Sequence, residues 1–299
     1  MTTVRVALAG ASGNLGPAIL NALLSDPSFI VTILSRSGKK PLDARAKVTE
    51  VDFQSLDSLT AALTGQDVVV NILGSAPVEV HLRLIDACLA AGVQRILPSE
   101  FGSDTTNPLA AKLPIFQTKV DVQRHLKDIC QRTASLSYTL LINGPFLDFG
   151  LQSGHLLKLS GANSGSGVEV YDGGHQRFST TTVSGAARAV VSILKNLEAT
   201  RNTVVYVREA DLTQSQLLKL AGLTLPTINV QTGELALEGY AELQKEHPDS
   251  SLVRTHFLKQ AAFGEGFGGL FDPQKLANGL LGVKELSEED LVNLVARYT

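Results

Sequence analysis

Val4-Arg-Val-Ala-Leu-Ala-Gly10-Ala-Ser-Gly13-Asn-Leu-Gly16-Pro17 is the stretch that decides the fold. A short apolar run, Val4–Ala9, ends in three glycines, and an amphipathic pattern, Ala18–Leu24, follows. Strand, glycine turn and helix in this order place main-chain N–H groups and a helix N-terminus where an anion can sit. Gly10 permits a tight turn, Gly13 lets the backbone approach a pyrophosphate, and Gly16 allows the helix to pack closely on the strand. Pro17 fits the first helical turn, where a missing N–H costs nothing. Ala11, Ser12, Asn14 and Leu15 complete the candidate loop.

Outward from this loop the pattern repeats. Ile30–Leu34, Val48–Val51, Val68–Leu73, Arg95–Leu97 and Tyr138–Ile142 are expected strands. Leu56–Leu63, Val80–Ala90 and Ile115–Cys130 are the helices between them. Several strands are continuous apolar runs, as strands covered on both faces should be. Strand and helix in alternation imply right-handed crossovers. The expected fold class is therefore α/β, an NAD(P)-binding Rossmann doubly wound parallel sheet, with a smaller α+β C-terminal domain for substrate. The domains are expected at 1–150 and 151–299, with segments around 180–207 packing back onto the sheet. Ser160–Gly167 is a small-residue loop; Thr182–Leu197 returns to helix and Thr203–Val207 to strand. Gln214–Leu220, Leu235–Gln244, Leu252–Phe263 and Ser287–Arg297 are the remaining helices, the last opened by Ser287 and early acids.

The end of the second strand selects the cofactor. An NAD-selective site places Asp or Glu there to accept from the ribose 2′-hydroxyl. This chain has Ser35, Arg36 and Ser37, with Lys39 and Lys40 close behind. A carboxylate would repel a 2′-phosphate, whereas Arg36 can grip it with two charge-assisted bonds. NADP(H) is the expected cofactor. Asp52 and Phe53, after the third strand, are placed to meet the adenine, and Gly74-Ser75 at the fourth-strand exit would pass beside the cofactor.

Lys119 lies on an apolar stripe with Ile115, Val122, Leu126 and Ile129. A lysine there must snorkel, pair, or line a cleft. In a cleft it would be a proton donor or acceptor with a pKa lowered by partial burial. Other chemistries lack their residues. The six histidines have no zinc-ligand spacing, so no metal site is expected, and there is no G-x-S-x-G elbow. The tyrosine four residues before the lysine in short-chain dehydrogenases falls on Ile115, which also disfavours a sugar-nucleotide epimerase.

Composition bounds the partners. The 299 residues are 44% hydrophobic and 18% charged, with net charge −3. That excludes disorder and argues against a nucleic-acid partner. No apolar run reaches the roughly 18 residues of a membrane span, the N-terminus opens on a strand, and the expected location is cytoplasmic. Cys88 and Cys130 are expected as small buried hydrophobes. A homodimer is compatible with the sequence.

Gly10–Gly16, Arg36, Arg95-Ile-Leu-Pro-Ser-Glu-Phe-Gly102, Lys119 and Asn143-Gly-Pro-Phe146 together resemble the NmrA-like, isoflavone-reductase-like group of atypical short-chain dehydrogenases, fungal members most of all. The resemblance covers about residues 1–195. It implies NADPH-dependent hydride transfer to a conjugated aromatic or alkaloid-like secondary metabolite: an enone, an imine, or a quinone methide or benzylic ether. Lys119 is then the general acid/base, Arg36 contacts the 2′-phosphate, and Asn143 and Phe146 lie by the nicotinamide. The second domain closes over the substrate. Plant members of the group usually carry Arg where this chain has Gln123. The competing expectation is a non-catalytic NADP(H)-sensing regulator of the NmrA type that binds a protein partner. Phe146, Phe149, Leu151, Phe178, Phe263, Phe267 and Phe271 are candidates for substrate pocket or core.

Overall fold

The apolar run before Gly10 forms strand β1 (Val4–Ala9) in the computed structural model, which describes residues 3–37, 43–159 and 167–299. Then follow α1 (Gly16–Leu24), β2 (Phe29–Ser35), β3 (Lys47–Glu50), α2 (Leu56–Leu63), β4 (Val68–Asn71) and α3 (Val78–Ala91). Next come β5 (Arg95–Leu97), α4 (Gln117–Arg132), β6 (Ser137–Ile142), α5 (Leu147–Gln152), β7 (Val168–Tyr171), β8 (Phe178–Thr180), α6 (Val183–Lys195) and β9 (Thr203–Tyr206). The chain ends with β10 (Ala210–Leu212), α7 (Gln214–Leu220), β11 (Thr227–Val230), α8 (Thr232–Leu243), α9 (Ser250–Phe263), α10 (Asn278–Leu281) and α11 (Glu288–Val295).

Seven strands make one sheet in the order β3-β2-β1-β4-β5-β6-β9. β1 runs parallel to both β2 and β4, and the pairs β2–β3, β4–β5 and β5–β6 are parallel too. From β1 the chain winds outward through β2 and β3, then returns to β4 on the other side and winds the opposite way. That reversal opens a crevice at the carboxyl ends of β1 and β4, where doubly wound sheets bind ligands. The expected α/β doubly wound sheet is what the chain forms.

The chain forms two compact units. The first is Met1–Phe101, Thr118–Leu141 and Ala186–Val205; the second is Gly102–Gln117, Ile142–Gly185 and Tyr206–Thr299. In the first, Val68–Asn71 and Val6–Ala9 are wholly buried, which explains why these strands lack alternation. Leu59, Leu63, Leu84, Ile85, Val122 and Leu126 of α2, α3 and α4 pack in one cluster with strand residues Ala7, Val69 and Ile96. Cys88 is buried there, and Cys130 Sγ donates to the Leu136 carbonyl at 3.3 Å.

The second unit departs more from sequence expectation. β8 pairs antiparallel with β10, and β7 pairs parallel with β11. These strands have only three or four residues, too few for a periodicity to show. Its core gathers Leu147, Tyr171, Phe178, Leu217 and Phe263. Phe178 and Phe263 meet edge to face at 5.2 Å, and Phe271 meets Tyr206 at 5.4 Å, so these three phenylalanines are core residues. Phe149 is 37% exposed. Ser287 and Asp290 form a reciprocal capping box at the start of α11. The helix expected from Ile115 begins instead at Gln117, because Pro114–Phe116 makes a tighter turn first. Most of the Ser160–Gly167 loop, 160–166, lies outside the described residues. Among the described residues no helix is long and apolar enough to cross a membrane.

Candidate functional site

The glycine loop is built as its spacing requires, but each glycine answers a different demand. Gly10 has φ 98°, and a Cβ there would lie 2.6 Å from the Ile72 carbonyl oxygen. At Gly16 a Cβ would lie 2.1 Å from the Ala11 carbonyl oxygen, so glycine alone lets α1 start so close to the strand. Gly13 is exposed, and the nearest atom to an added Cβ would be at 3.5 Å. Among the described residues no contact demands glycine at 13. Gly13 N donates to Gly10 O and Gly16 N to Gly13 O, each at 3.1 Å, which coils the loop. Ala11 and Leu15 point into the core, while Ser12 and Asn14 are exposed.

Beside this loop lies a hollow of about 890 Å³, lined by Gly10–Ser12, Ser35–Ser37, Phe53, Gln54 and the Ser75–Pro77 segment. It spans the β1–β4 reversal and reaches the end of β2, where Arg36 and Ser37 are exposed. Arg36 also lines an adjoining hollow of about 560 Å³, with Glu50, Asp52 and Phe53. Asp52 is exposed and its carboxylate accepts from Gln54 N at 2.8 Å, so it shapes the turn that presents Phe53. Gly74 sits next to Ser75, and its N–H donates to Ser99 Oγ at 3.2 Å. Lys39 and Lys40 lie outside the described residues. The volume, the glycine floor and the exposed Arg36 guanidinium suit a dinucleotide carrying an extra phosphate.

Lys119 is half-buried on the face of α4 that also buries Val122, Gln123 and Leu126. Its Nζ donates to the main-chain carbonyl of Glu100. Burial pushes the ammonium pKa below its ordinary value, while the Glu100 carboxylate acts in the other direction. Glu100 is 1% exposed, and its Oε1 accepts from Gln123 Nε2 at 3.0 Å. Phe101, next in the chain, has φ 25°, a conformation that costs a non-glycine residue on the order of 1–3 kcal/mol. Lys119 does not line the 890 Å³ hollow.

Asn143 and Phe146 belong to the second unit. Asn143 is fully buried; its Nδ2 donates to Gly144 O at 2.8 Å, and among the described residues no donor reaches its Oδ1. Phe146 is half-buried and bridges to Thr181 at the start of α5.

Four side chains around the hollow carried no sequence signal strong enough to single them out for this place. Asn71 and His81 are buried and paired at 2.9 Å. Arg83 Nη1 donates to Phe53 O at 3.2 Å and to Gln54 Oε1 at 3.1 Å, fixing the turn after β3. Ser99 holds Gly74. Polar residues on faces that otherwise bury apolar ones were the available signal. Among the described residues no group of His, Cys, Asp or Glu is arranged to hold a metal.

A glycine loop beside an exposed arginine at the reversal of a doubly wound sheet defines a Rossmann-type nucleotide-binding protein. The chain belongs to the NmrA-like family, whose model matches residues 2–231. It is 34% identical to "Oxidoreductase aprR" of Aspergillus flavus over 221 residues, 72% of each chain. The solved structure "AtPrR2 with NADP+ and (+)pinoresinol" superposes with a TM-score of 0.77 at 23% identity, over the whole of both chains. Leucoanthocyanidin reductase of Vitis vinifera, solved as its binary complex with NADPH, gives a TM-score of 0.76 at 19% identity, over 97% of this chain and 99% of that one. These two likenesses establish the shared fold.

Proposed function

We propose that this chain is an NADPH-dependent oxidoreductase of the isoflavone-reductase type. Its substrate is a small conjugated aromatic or secondary-metabolite molecule, and Lys119 is its general acid/base. The observation that carries the reading is Lys119 itself, an ammonium held on the buried face of α4 by a main-chain carbonyl, with burial lowering its pKa. A protein that only sensed the cofactor has no need of that arrangement. The oxidoreductase name of the Aspergillus flavus relative and the NADP(H) of the two solved relatives point the same way.

NADPH, when bound, supplies a hydride to an electrophilic carbon of the substrate. The Gly10–Gly16 backbone and the N-terminus of α1 would hold the pyrophosphate, Arg36 would hold the 2′-phosphate, and Phe53 would meet the adenine. Hydride addition leaves negative charge on an oxygen or nitrogen of the substrate. Lys119 stabilises that charge as an ammonium and delivers a proton to it. Acid/base help of this kind contributes typically about 10²–10⁴-fold.

Lys119→Ala is therefore expected to bind NADPH with wild-type affinity while losing about two or more orders of magnitude in turnover. Fluorescence titration and single-turnover assays check the two halves. Turnover within a few-fold of wild type would remove Lys119 from the mechanism. Tight NADPH binding by the wild type without turnover of any enone, imine or benzylic ether would favour the cofactor-sensing regulator.

A further inference from the structure

Lys119 sits half-buried in the first turn of α4, where two effects oppose its charge. Burial strips water from the ammonium, and the positive end of the helix dipole repels it. Support comes from a residue outside the helix. Lys119 Nζ donates to the main-chain carbonyl of Glu100. One turn further along the same face, Gln123 Nε2 donates to Glu100 Oε1 at 3.0 Å. A carboxylate only accepts, so the amide atom that meets it is the nitrogen. Two successive turns of α4 thus grip Glu100, one by its main chain and one by its side chain.

The segment that carries Glu100 needs such a grip. It follows β5, belongs to no helix or strand, and turns tightly on both sides. Glu100 N donates to Pro98 O, two residues back, at 2.8 Å, and Phe101 has φ 25°. Backbone of this kind persists only where its surroundings over-determine it. Glu100 and Gln123 are both buried, at 1% and 5% exposure. A carboxylate and an amide in that position cost free energy that two apolar side chains would avoid, and what they secure is the carbonyl beneath Lys119.

We propose that Gln123 is a positioning residue: by tying the Glu100 side chain to α4 it fixes the carbonyl on which the Lys119 ammonium rests, and so where Lys119 presents its proton. Gln123 lines neither hollow beside the glycine loop and acts through Glu100. The charged groups that face Lys119 are the Glu100 carboxylate, which favours the ammonium, and His81 of α3, which the Lys119 charge reaches. The proposal rests on the acid/base reading of Lys119 for its consequence in turnover, but the surroundings of Lys119 can be measured without cofactor.

The test uses the full chain as wild type, Gln123→Leu and Gln123→Asn. Lysine-labelled, cofactor-free protein is titrated by ¹³C–¹⁵N spectra, with Lys119 assigned as the signal missing from Lys119→Ala. In Gln123→Leu the ammonium loses its fixed carbonyl, so Lys119 should titrate at lower pH than in the wild type. Single-turnover rates, taken below that titration, should fall roughly tenfold, the worth of about one hydrogen bond, with NADPH affinity unchanged. A folded Gln123→Leu with wild-type titration and turnover overturns the proposal. A slower Gln123→Leu whose Lys119 signal has not moved overturns it too, because a merely structural residue would give that result. If Gln123→Leu does not fold, Gln123→Asn, one methylene too short to reach, must show both changes in smaller measure, and wild-type values there overturn the proposal. A moved Lys119 signal in a chain whose Lys119→Ala variant turns over normally would leave the grip standing and bring down the acid/base reading instead.

Discussion

At the scale of single residues, Arg36 is the residue proposed to separate NADPH from NADH. It stands exposed at the end of β2, where an NAD-selective site carries a carboxylate, and it lines both hollows beside the glycine loop. A guanidinium–phosphate bond contributes about 1.5–3 kcal/mol, and two can form. Arg36→Ala is expected to weaken NADPH roughly ten- to a hundredfold or more and to leave NADH nearly unchanged, by titration of both cofactors. Equal losses for the two would remove Arg36 from the phosphate. Arg36 and Lys119 were legible because each breaks a local rule, one by its charge where an acid is usual, the other by its place on an apolar stripe. His81 and Asn71 were not. They are ten residues apart across a loop, and only the folded turn brings an amide onto a ring nitrogen. Gln123 was legible as a departure from plant relatives. What it does, donating to a buried Glu100 carboxylate, needed coordinates.

At the scale of elements, β5 is three residues long, and Arg95 at its start ties it into the sheet. The buried guanidinium donates from Nε to Ser137 Oγ at 2.7 Å, from Nη1 to Thr139 Oγ1 at 2.9 Å, and from Nη2 to the Leu197 carbonyl at 2.6 Å. Burial lowers its pKa to about 10, so it stays charged at neutral pH. One side chain thus fastens β5 to β6 and to the chain that follows α6. Arg95→Ala leaves those acceptors buried without a donor and should cost about 3 kcal/mol or more in urea denaturation. A loss under about 1 kcal/mol would show that water or rotated hydroxyls replace it. The sheet strands were legible because each is an apolar run bounded by turn residues. β7, β8, β10 and β11 were not, since strands of three or four residues in two-stranded pairs are specified by packing and not by pattern.

For the molecule as a whole, buried His81 and half-buried His155 contribute to the response to acid. Burial lowers the His81 pKa below its ordinary value, and the Lys119 charge acts in the same direction. Burial and the charges of Lys259 and Arg254 lower His155 likewise. Below 6.5 the unfolded chain takes up these protons first, so it binds more protons than the native state and stability falls as pH falls. Urea midpoints should be level above about pH 7 and decline toward pH 5, with a shallower decline in His81→Gln. Midpoints that rise over that interval would contradict the assignment. The parallel sheet and its glycine loop were legible at this scale, while the substrate was not, because aromatic residues such as Phe178 and Phe263 serve core and pocket alike and here fill the core.

The central claim is hydride transfer assisted by Lys119. Its most direct test is mass spectrometry of products formed with NADPH deuterated at the nicotinamide, offered to aromatic enones, imines and benzylic ethers with wild type and Lys119→Ala. Deuterium in a product of the wild type, lost or greatly reduced in the variant, is the predicted result and identifies the bond reduced. Tight NADPH binding with no label in any product, or label that survives in Lys119→Ala, would contradict it.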